Sequence, residues 1–554
     1  MLFARHFAPA GMVNIMTKHL TSFLARTLSG VTPQSEPMPG TSQVPNSAGG
    51  YAFAADEWTR LQRFLILGSE GGSYYASERT LTAENANAVF RCLDLDGARA
   101  VAQIVAVSVA GRAPKNDPAL FALAIAASCD QDETRRLALA ALPKVARTGT
   151  HLFHFAAFVQ AQRGWGRGLR AAVARWYGEK SPRDLVYQTL KYQARDNWSH
   201  RDLLRLSHPT PQSDEQQIVF HWATQGWPSV GEGVHPVEEV RGLWAFETIK
   251  RASDAAHVAQ MVREFDLPRE AIPTQFLTSP EVWEALLDRM PMTALIRNLA
   301  TMTKIGLLSA GSQATARVVE QFGDAARLQK ARVHPIAVLS ALKTYASGRG
   351  VRGNATWTPV SAITDALDGA FYASFGAVEA SDKRHLLALD VSGSMGCGQI
   401  AGVAGLTPRV AAGAMALVTG AVENKTEFVA FSHELTPVDL SARRRLDDVL
   451  TQLDGIPMGG TDCALPMLWA AKHKREVDAF VVYTDSETWF GGVHPVQALR
   501  QYREAMGIDA RLIVVGMVSN GFTIADPNDG GMLDVVGFDT AAPQVMSDFA
   551  RGSV

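Results

Sequence analysis

Beyond Lys383 the chain alternates between two kinds of segment, and that alternation limits its fold more than any other feature. HLLALD (385–390), EFVAF (427–431), AFVVYT (479–484) and RLIVVGM (511–517) are short, continuously apolar, β-rich runs. Stretches with helical spacing lie between them, at 407–422, 439–453, 463–474 and 495–506. A strand apolar on both faces must be covered on both, and an intervening helix returns the chain so that the next strand runs parallel. The expected product over residues 381–554 is a doubly wound parallel α/β sheet, with ligand loops at the carboxyl ends of its strands.

The preceding part reads differently. From about Tyr51 to Phe375 apolar residues recur at a spacing of 3–4, as in 84–110, 118–128, 134–147, 168–178, 236–264, 280–300 and 335–347. Breaks such as GRAPKNDP and LPREAIP separate the segments. At 554 residues the chain exceeds one hydrophobic core, so two or three domains are expected. Helix after helix without strands suggests an α-solenoid over 48–380, with an irregular helical domain as the alternative. Residues 28–50 are rich in Pro, Ser and Gly and read as a flexible lead-in, closing a leader that spans 1–47. Its first residues, MLFARHFAPAGMVNIMTKHL, lack a continuous apolar core; a disordered leader, or a true start at Met12 or Met16, fits better than export.

Two bulk properties narrow the function. Cys92, Cys129, Cys397 and Cys463 form no CxxC pair, which argues against a zinc cluster or disulfide framework and suits a reducing cytoplasm. The formal net charge of −2 gives the whole molecule no nucleic-acid signature, so any basic surface must be local. No apolar run approaches the ~18 residues of a membrane span.

Chemistry concentrates after the first strand, where HLLALD runs into DVSGSMG and gives Asp390, Ser392 and Ser394 at alternate positions. GGTDC adds Thr461, and VVYTDSE places Asp485 just past another strand. Two carboxylates and three hydroxyls make a hard, all-oxygen set suited to a divalent cation, Mg²⁺ first and Mn²⁺ second. A helix-capping loop is the bland alternative for the serines. A serine nucleophile at Ser394 would need His433 or His473 beside it and lacks the G-x-S-x-G elbow, and no other catalytic motif appears. A metal-dependent hydrolase would need a general base that does not stand out, so the chain is not read as an enzyme. Together the three segments resemble the metal-ion-dependent adhesion site of von Willebrand factor A domains. That resemblance implies coordination by Asp390, Ser392, Ser394, Thr461 and Asp485, with one position open to the carboxylate of an acidic protein ligand.

Residues 163–208 hold ten Lys or Arg against four acids, with six Trp or Tyr interleaved. Cations for phosphates beside rings for bases suit an RNA surface; a solvated helix face over core aromatics has the same composition. Longer strings separate the two. GWGRGLRAAVARWYGEK, LKYQARDNWSHRDLLRLSHP, LQRFLILGSEGGSYY, THLFHF, MPMTALIRNLATMTK, GGTDCALPM, GGVHPVQALR and SNGFTIADPNDGGMLD resemble the Ro ribonucleoprotein autoantigen family, a TROVE module joined to a von Willebrand A domain. The resemblance covers roughly 48–554, and the Ala/Arg-rich composition suits a bacterial member.

The family implies a ring of HEAT-like repeats closed by the A domain, acting as a monomer without a membrane. It implies small noncoding Y RNA on the outer surface and single-stranded 3′ ends of misfolded or precursor structured RNAs in a central hole. It also implies RNA quality control with an exoribonuclease tethered through the Y RNA. Carried over by residue, the Y RNA surface comprises Lys191, Arg195, His200, Arg201 and His208, with Arg167 and Arg170 as phosphate contacts and Arg205 one turn beyond Arg201. A metal-dependent protein-interaction scaffold with no RNA role is the competing reading.

Overall fold

The computed structural model describes residues 31–68, 78–227, 237–350, 354–376, 378–400, 406–441 and 446–553. The expectations placed on Met1, Met12 and Met16, and the glycine-rich stretch at 69–77, lie outside the described residues.

The four apolar runs form strands Arg384–Asp390, Lys425–Phe431, Ala479–Thr484 and Arg511–Gly516, all mutually parallel where they pair. Met532–Val536 adds a fifth parallel strand, and Leu435–Pro437 an antiparallel edge. In space the order is 532–536, 511–516, 479–484, 384–390, 425–431, 435–437. Every residue of Ala479–Thr484 is buried, as a strand covered on both faces requires. Successive strands first build outward from 384–390 on one side and then return to the other. The topological switch therefore falls between 384–390 and 479–484, and the crevice at their carboxyl ends is where such sheets bind ligands.

The helical region stacks its helices on neighbours one to three places along the chain, the solenoid pattern. Two segments that read as single helices are pairs. The stretch 236–264 splits into Arg241–Ile249 and Ala255–Phe265, where Asp254 caps the second helix by accepting the His257 N–H. The stretch 280–300 splits into Pro280–Leu287 and Met292–Lys304 at Pro291, whose ring ends one helix and starts the next. Among the described residues no helix is long and apolar enough to cross a membrane.

Both ends of the helical array meet the sheet domain and each other, so the array closes into a ring. Near its start, Arg63 is 1% exposed and reaches Asp534 on the fifth strand at 2.6 Å, with the Asn520 and Phe522 carbonyls at 2.9 and 2.7 Å. Near its end, His334 Nε2 lies 3.0 Å from the carbonyls of both Arg112 and Phe538. Its Nδ1 accepts the Ile336 N–H, which leaves Nε2 as the donor. The Arg112 guanidinium meanwhile pairs with Asp539 through two nitrogens.

The lead-in is not flexible over its described part. Residues 31–54 form a strap on the sheet domain: Gln43–Pro45 pairs with Tyr51–Ala54, which pairs with Phe522–Thr523. Its Pro/Gly/Ser composition misleads because at least one glycine serves contact rather than freedom. A Cβ on Gly50 would sit 2.0 Å from the Thr488 carbonyl oxygen. Spatially this part of the leader belongs with residues 381–554.

Candidate metal centre and basic face

Asp390 ends the central strand at the switch point, and its carboxylate organises the turn that follows. Oδ1 accepts the Ser392 N–H at 2.9 Å, and Oδ2 accepts the Thr484 hydroxyl at 2.7 Å. Ser392 and Ser394 place their hydroxyl oxygens 3.1 Å apart. Asp485 leaves the neighbouring strand, accepts the Glu487 N–H at 3.0 Å and a hydrogen bond from Ser394. The Thr461 loop is tied to both others: Gly393 N–H donates to Gly459 O, and the Trp489 and Phe490 N–H groups donate to Thr461 O. All five side chains are buried.

The electrostatics are those of a site short of positive charge. Burial first, and Asp485 second, push the Asp390 carboxyl up to about 7, and burial raises Asp485 as well. The Thr461 hydroxyl is buried without a hydrogen-bond partner, as is that of Ser486, which holds a positive φ of 61°. An orphaned hydroxyl beside two buried carboxylates fits a hard cation. Among the described residues no cluster of three His, Cys, Asp or Glu could hold a metal, so this set depends on its hydroxyls. Thr484 and Gln34, which hold the loops, carry no motif and went unread in the sequence. His433 contacts Ser432 and Phe490, and His473 lies against Trp469; neither is placed on Ser394.

The face beside the centre is apolar. Met458, Trp489 and Phe490 are 61%, 37% and 52% exposed. A Cβ on Gly460 would meet both aromatic rings, and one on Gly396 would meet the Met458 sulfur.

The basic residues lie elsewhere, on the helical region. Arg167 and Arg170 open helix Arg167–Gly178, where the helix dipole disfavours cations and no acid offsets them. Arg195 stands exposed on a two-stranded hairpin, Ala194–Arg195 with Trp198–Ser199, whose Asp196-Asn197 turn has both φ values positive. His154, unread in the sequence, pins that turn by bonding Asp196, and Trp198 packs on Trp165. Arg201 and Arg205 share the exposed side of helix His200–Ser207, which Ser199 and Asp202 cap reciprocally. His208 ends it in the left-handed conformation, φ 46°, with its side chain exposed. Lys191 is half-buried, its ammonium 2.7 Å from the Tyr187 hydroxyl.

His200 departs from the expected surface. Its ring is 4% exposed and packed among Phe153, Trp176 and Tyr177. Nδ1 lies 2.8 Å from the Tyr177 hydroxyl and Nε2 3.3 Å from the Gln188 carbonyl. Burial pushes its pKa down to about 4. A neutral imidazole enclosed in this way supports the face from below and has no edge left for RNA.

Arg167, Arg170, Arg195 and Arg201 have no acidic partner among the described residues. Further along, four arginines share two acids: Arg183 and Arg289 on Asp266, Arg263 and Arg317 on Asp288.

Comparison with known proteins agrees with this architecture. The TROVE domain family matches residues 44–231 and 261–344, and the Ro60 vWA domain family matches 384–550. The chain is 43% identical to the RNA-binding protein RO60 of Deinococcus radiodurans, over 94% of this chain and 98% of that protein. The chain belongs to the Ro60 family. Its similarity extends to the RNA-binding protein RO60 of Caenorhabditis elegans, 35% identical over 92% of this chain and 90% of the relative. The crystal structure of the Ro (RSR) protein of Deinococcus radiodurans superposes with a TM-score of 0.68 at 42% identity, covering 90% of this chain and all of that one. Within the Ro60 framework the TROVE match begins inside the strap, although the strap lies on the vWA domain.

Proposed function

We propose that this Ro60-family chain binds RNA across the face formed by Arg167, Arg170, Lys191, Arg195, Arg201, Arg205 and His208. The observation that carries the reading is the set of four exposed arginines without acidic partners, on a chain whose net charge is −2. Cations left without acidic partners on one face are available to phosphates, and phosphate neutralisation dominates RNA affinity. The relatives' names point the same way. In the finer reading the face holds a small noncoding Y RNA, single-stranded 3′ ends of misfolded or precursor RNAs enter the ring, and a nuclease tethered by the Y RNA degrades or trims them. The chain works as a monomer in a reducing cytoplasm and performs no chemistry of its own. Crosslinking of the RNAs copurified from the native host tests this, with sequencing to identify the RNAs and mass spectrometry of the crosslinked peptides, which should map to residues 167–208. A crosslink pattern that avoids that segment would overturn it.

The second site serves a different task. Asp390, Ser392, Ser394, Thr461 and Asp485 hold Mg²⁺, or Mn²⁺ in its place. The bound cation supplies a Lewis-acidic position that can accept an oxygen ligand. Exposed Met458, Trp489 and Phe490 beside it favour a protein ligand with a carboxylate next to large apolar side chains over a nucleic acid. A family-wide RNA role and this docking role are compatible, since the two sets of residues lie in different domains.

A further inference from the structure

The part of the chain that read as a loose leader is bonded into the loops of the metal centre. Gln34 is fully buried and lies 428 residues before Asp462. Its side-chain amide donates to Asp462 Oδ1 at 2.7 Å and to the Val493 carbonyl at 2.6 Å, and its Oε1 accepts the Thr488 hydroxyl. Its backbone N–H donates to Gly491 O at 2.9 Å. One side chain thus spans the loop that carries Thr461 and the loop that follows Asp485. Gly491 has no room for a Cβ, which would lie 2.4 Å from both Asp462 Oδ1 and Gln34 Nε2.

Asn46 adds a second pin from the same strap. Its Nδ2 donates to Thr488 O at 2.7 Å, while the neighbouring Ser47 and Ala48 N–H groups converge on Glu487 Oε2 at 2.9 and 3.3 Å. Thr488 also accepts the Cys463 N–H at 3.2 Å. The loops therefore touch each other directly, through Thr461 O and the Trp489 and Phe490 N–H groups, and again through the strap.

We propose that residues 31–54 act as a positioning strap, with Gln34 and Asn46 as its pins, that sets the spacing between Thr461 and Asp485 and so the cation affinity of the centre. The proposal rests on the metal reading above. The physical ground is that Thr461 has no other side-chain partner to fix it: its hydroxyl is buried and unbonded, so its position comes only from the loop's backbone and whatever holds that loop. A coordination sphere for Mg²⁺ tolerates little error in oxygen placement. Gln34 fixes that loop through Asp462, the next residue.

The test measures Mn²⁺ affinity of the full chain by calorimetry and by the Mn²⁺ electron paramagnetic resonance signal, beside the melting temperature in chelator. Gln34→Ala and Asn46→Ala should each weaken Mn²⁺ binding about tenfold or more. Gln43→Ala loosens the same strap where it meets His494, away from Thr461 and Asp485, and should lower the melting temperature while leaving Mn²⁺ affinity within twofold. Amide exchange of the metal-free protein supplies a readout that needs no cation: Gln34→Ala should speed exchange at Cys463, Trp489 and Phe490. Folded Gln34→Ala protein with wild-type Mn²⁺ affinity and unchanged exchange overturns the proposal, as does an equal loss of affinity in Gln43→Ala. Wild-type protein that binds no Mn²⁺ overturns the metal reading itself and the strap's role toward a cation; exchange then reports only whether the strap orders the loops.

Discussion

Asp390 and Asp485 are enclosed by loops that already hold them, whereas Arg167, Arg170, Arg195 and Arg201 stand in water with no acidic partner among the described residues. Each arrangement leaves charge uncompensated. Inside, a single small ion could balance the deficit without moving anything, because hydroxyls and backbone amides already orient the carboxylates. Outside, the deficit is spread along two helices and a hairpin, and only an extended polyanion could reach all of it. Compactness suits a cation in one place, and spread suits a polymer in the other.

Removing the inner carboxylate is the harshest way to test this contrast. Asp390→Ala should abolish Mn²⁺ binding while RNA affinity stays within twofold; loss of RNA binding by a folded variant would show that the two sites are not separate. Enclosure rather than contact is tested at His200. His200→Ala should cost about 2–4 kcal/mol in denaturant unfolding, from the cavity and the stranded Tyr177 hydroxyl. RNA affinity of the folded fraction should be unchanged, and a large drop would return His200 to the binding face.

Acid offers a related check. Burial holds His200 and His334 near 4, below the ordinary 6.5. Above 6.5 neither folded nor unfolded chains protonate these rings, and stability is whole. Between 6.5 and 4 the unfolded chain takes up protons that the folded chain refuses, so stability falls with falling pH, by up to about 3 kcal/mol per ring. Asp390, raised to about 7, opposes this over the same range. The decline is therefore read as the difference in urea midpoint between the wild-type chain and the His200→Gln and His334→Gln variants. A difference that does not change with pH would contradict the burial of the rings.

The outer face should respond more gently. Arg195→Ala with Arg201→Ala should weaken RNA binding about tenfold and reduce the slope of log affinity against log salt by about 1.4, two phosphates' worth for a single strand. Arg317→Ala removes a cation already paired with Glu284 and Asp288. It should leave RNA affinity untouched and change stability by less than about 1 kcal/mol. Equal effects from the paired and unpaired arginines would erase the distinction.

Which features the sequence disclosed follows from their physics. Asp390, Ser392 and Ser394 were legible because an apolar strand delivers them to a turn, and the strand announces itself. The strand Met532–Val536 did not, since Asp534 interrupts its apolar run; that acid is tolerated because Arg63 reaches it from the far end of the chain. Burial of His200 was invisible for a similar reason: Phe153 and Trp176 enclose it from other helices, and a local string cannot show what folds over it. Gln34 was hidden by the loop-like composition around it. Contacts between distant segments set these outcomes, and composition records only local preference.

The strap has one more consequence, in the timing of synthesis. Tyr51–Ala54 pairs with Phe522–Thr523, so its partner leaves the ribosome roughly 470 residues later. At about 5–20 residues per second, that is a wait of about 25–90 s. Through that interval the strap's strand has an unpaired edge, and the ring has a beginning without an end. The segment around Phe522–Thr523 therefore finishes a sheet begun at Tyr51–Ala54, and a nascent chain that stalls before it exposes an edge for other chains to join.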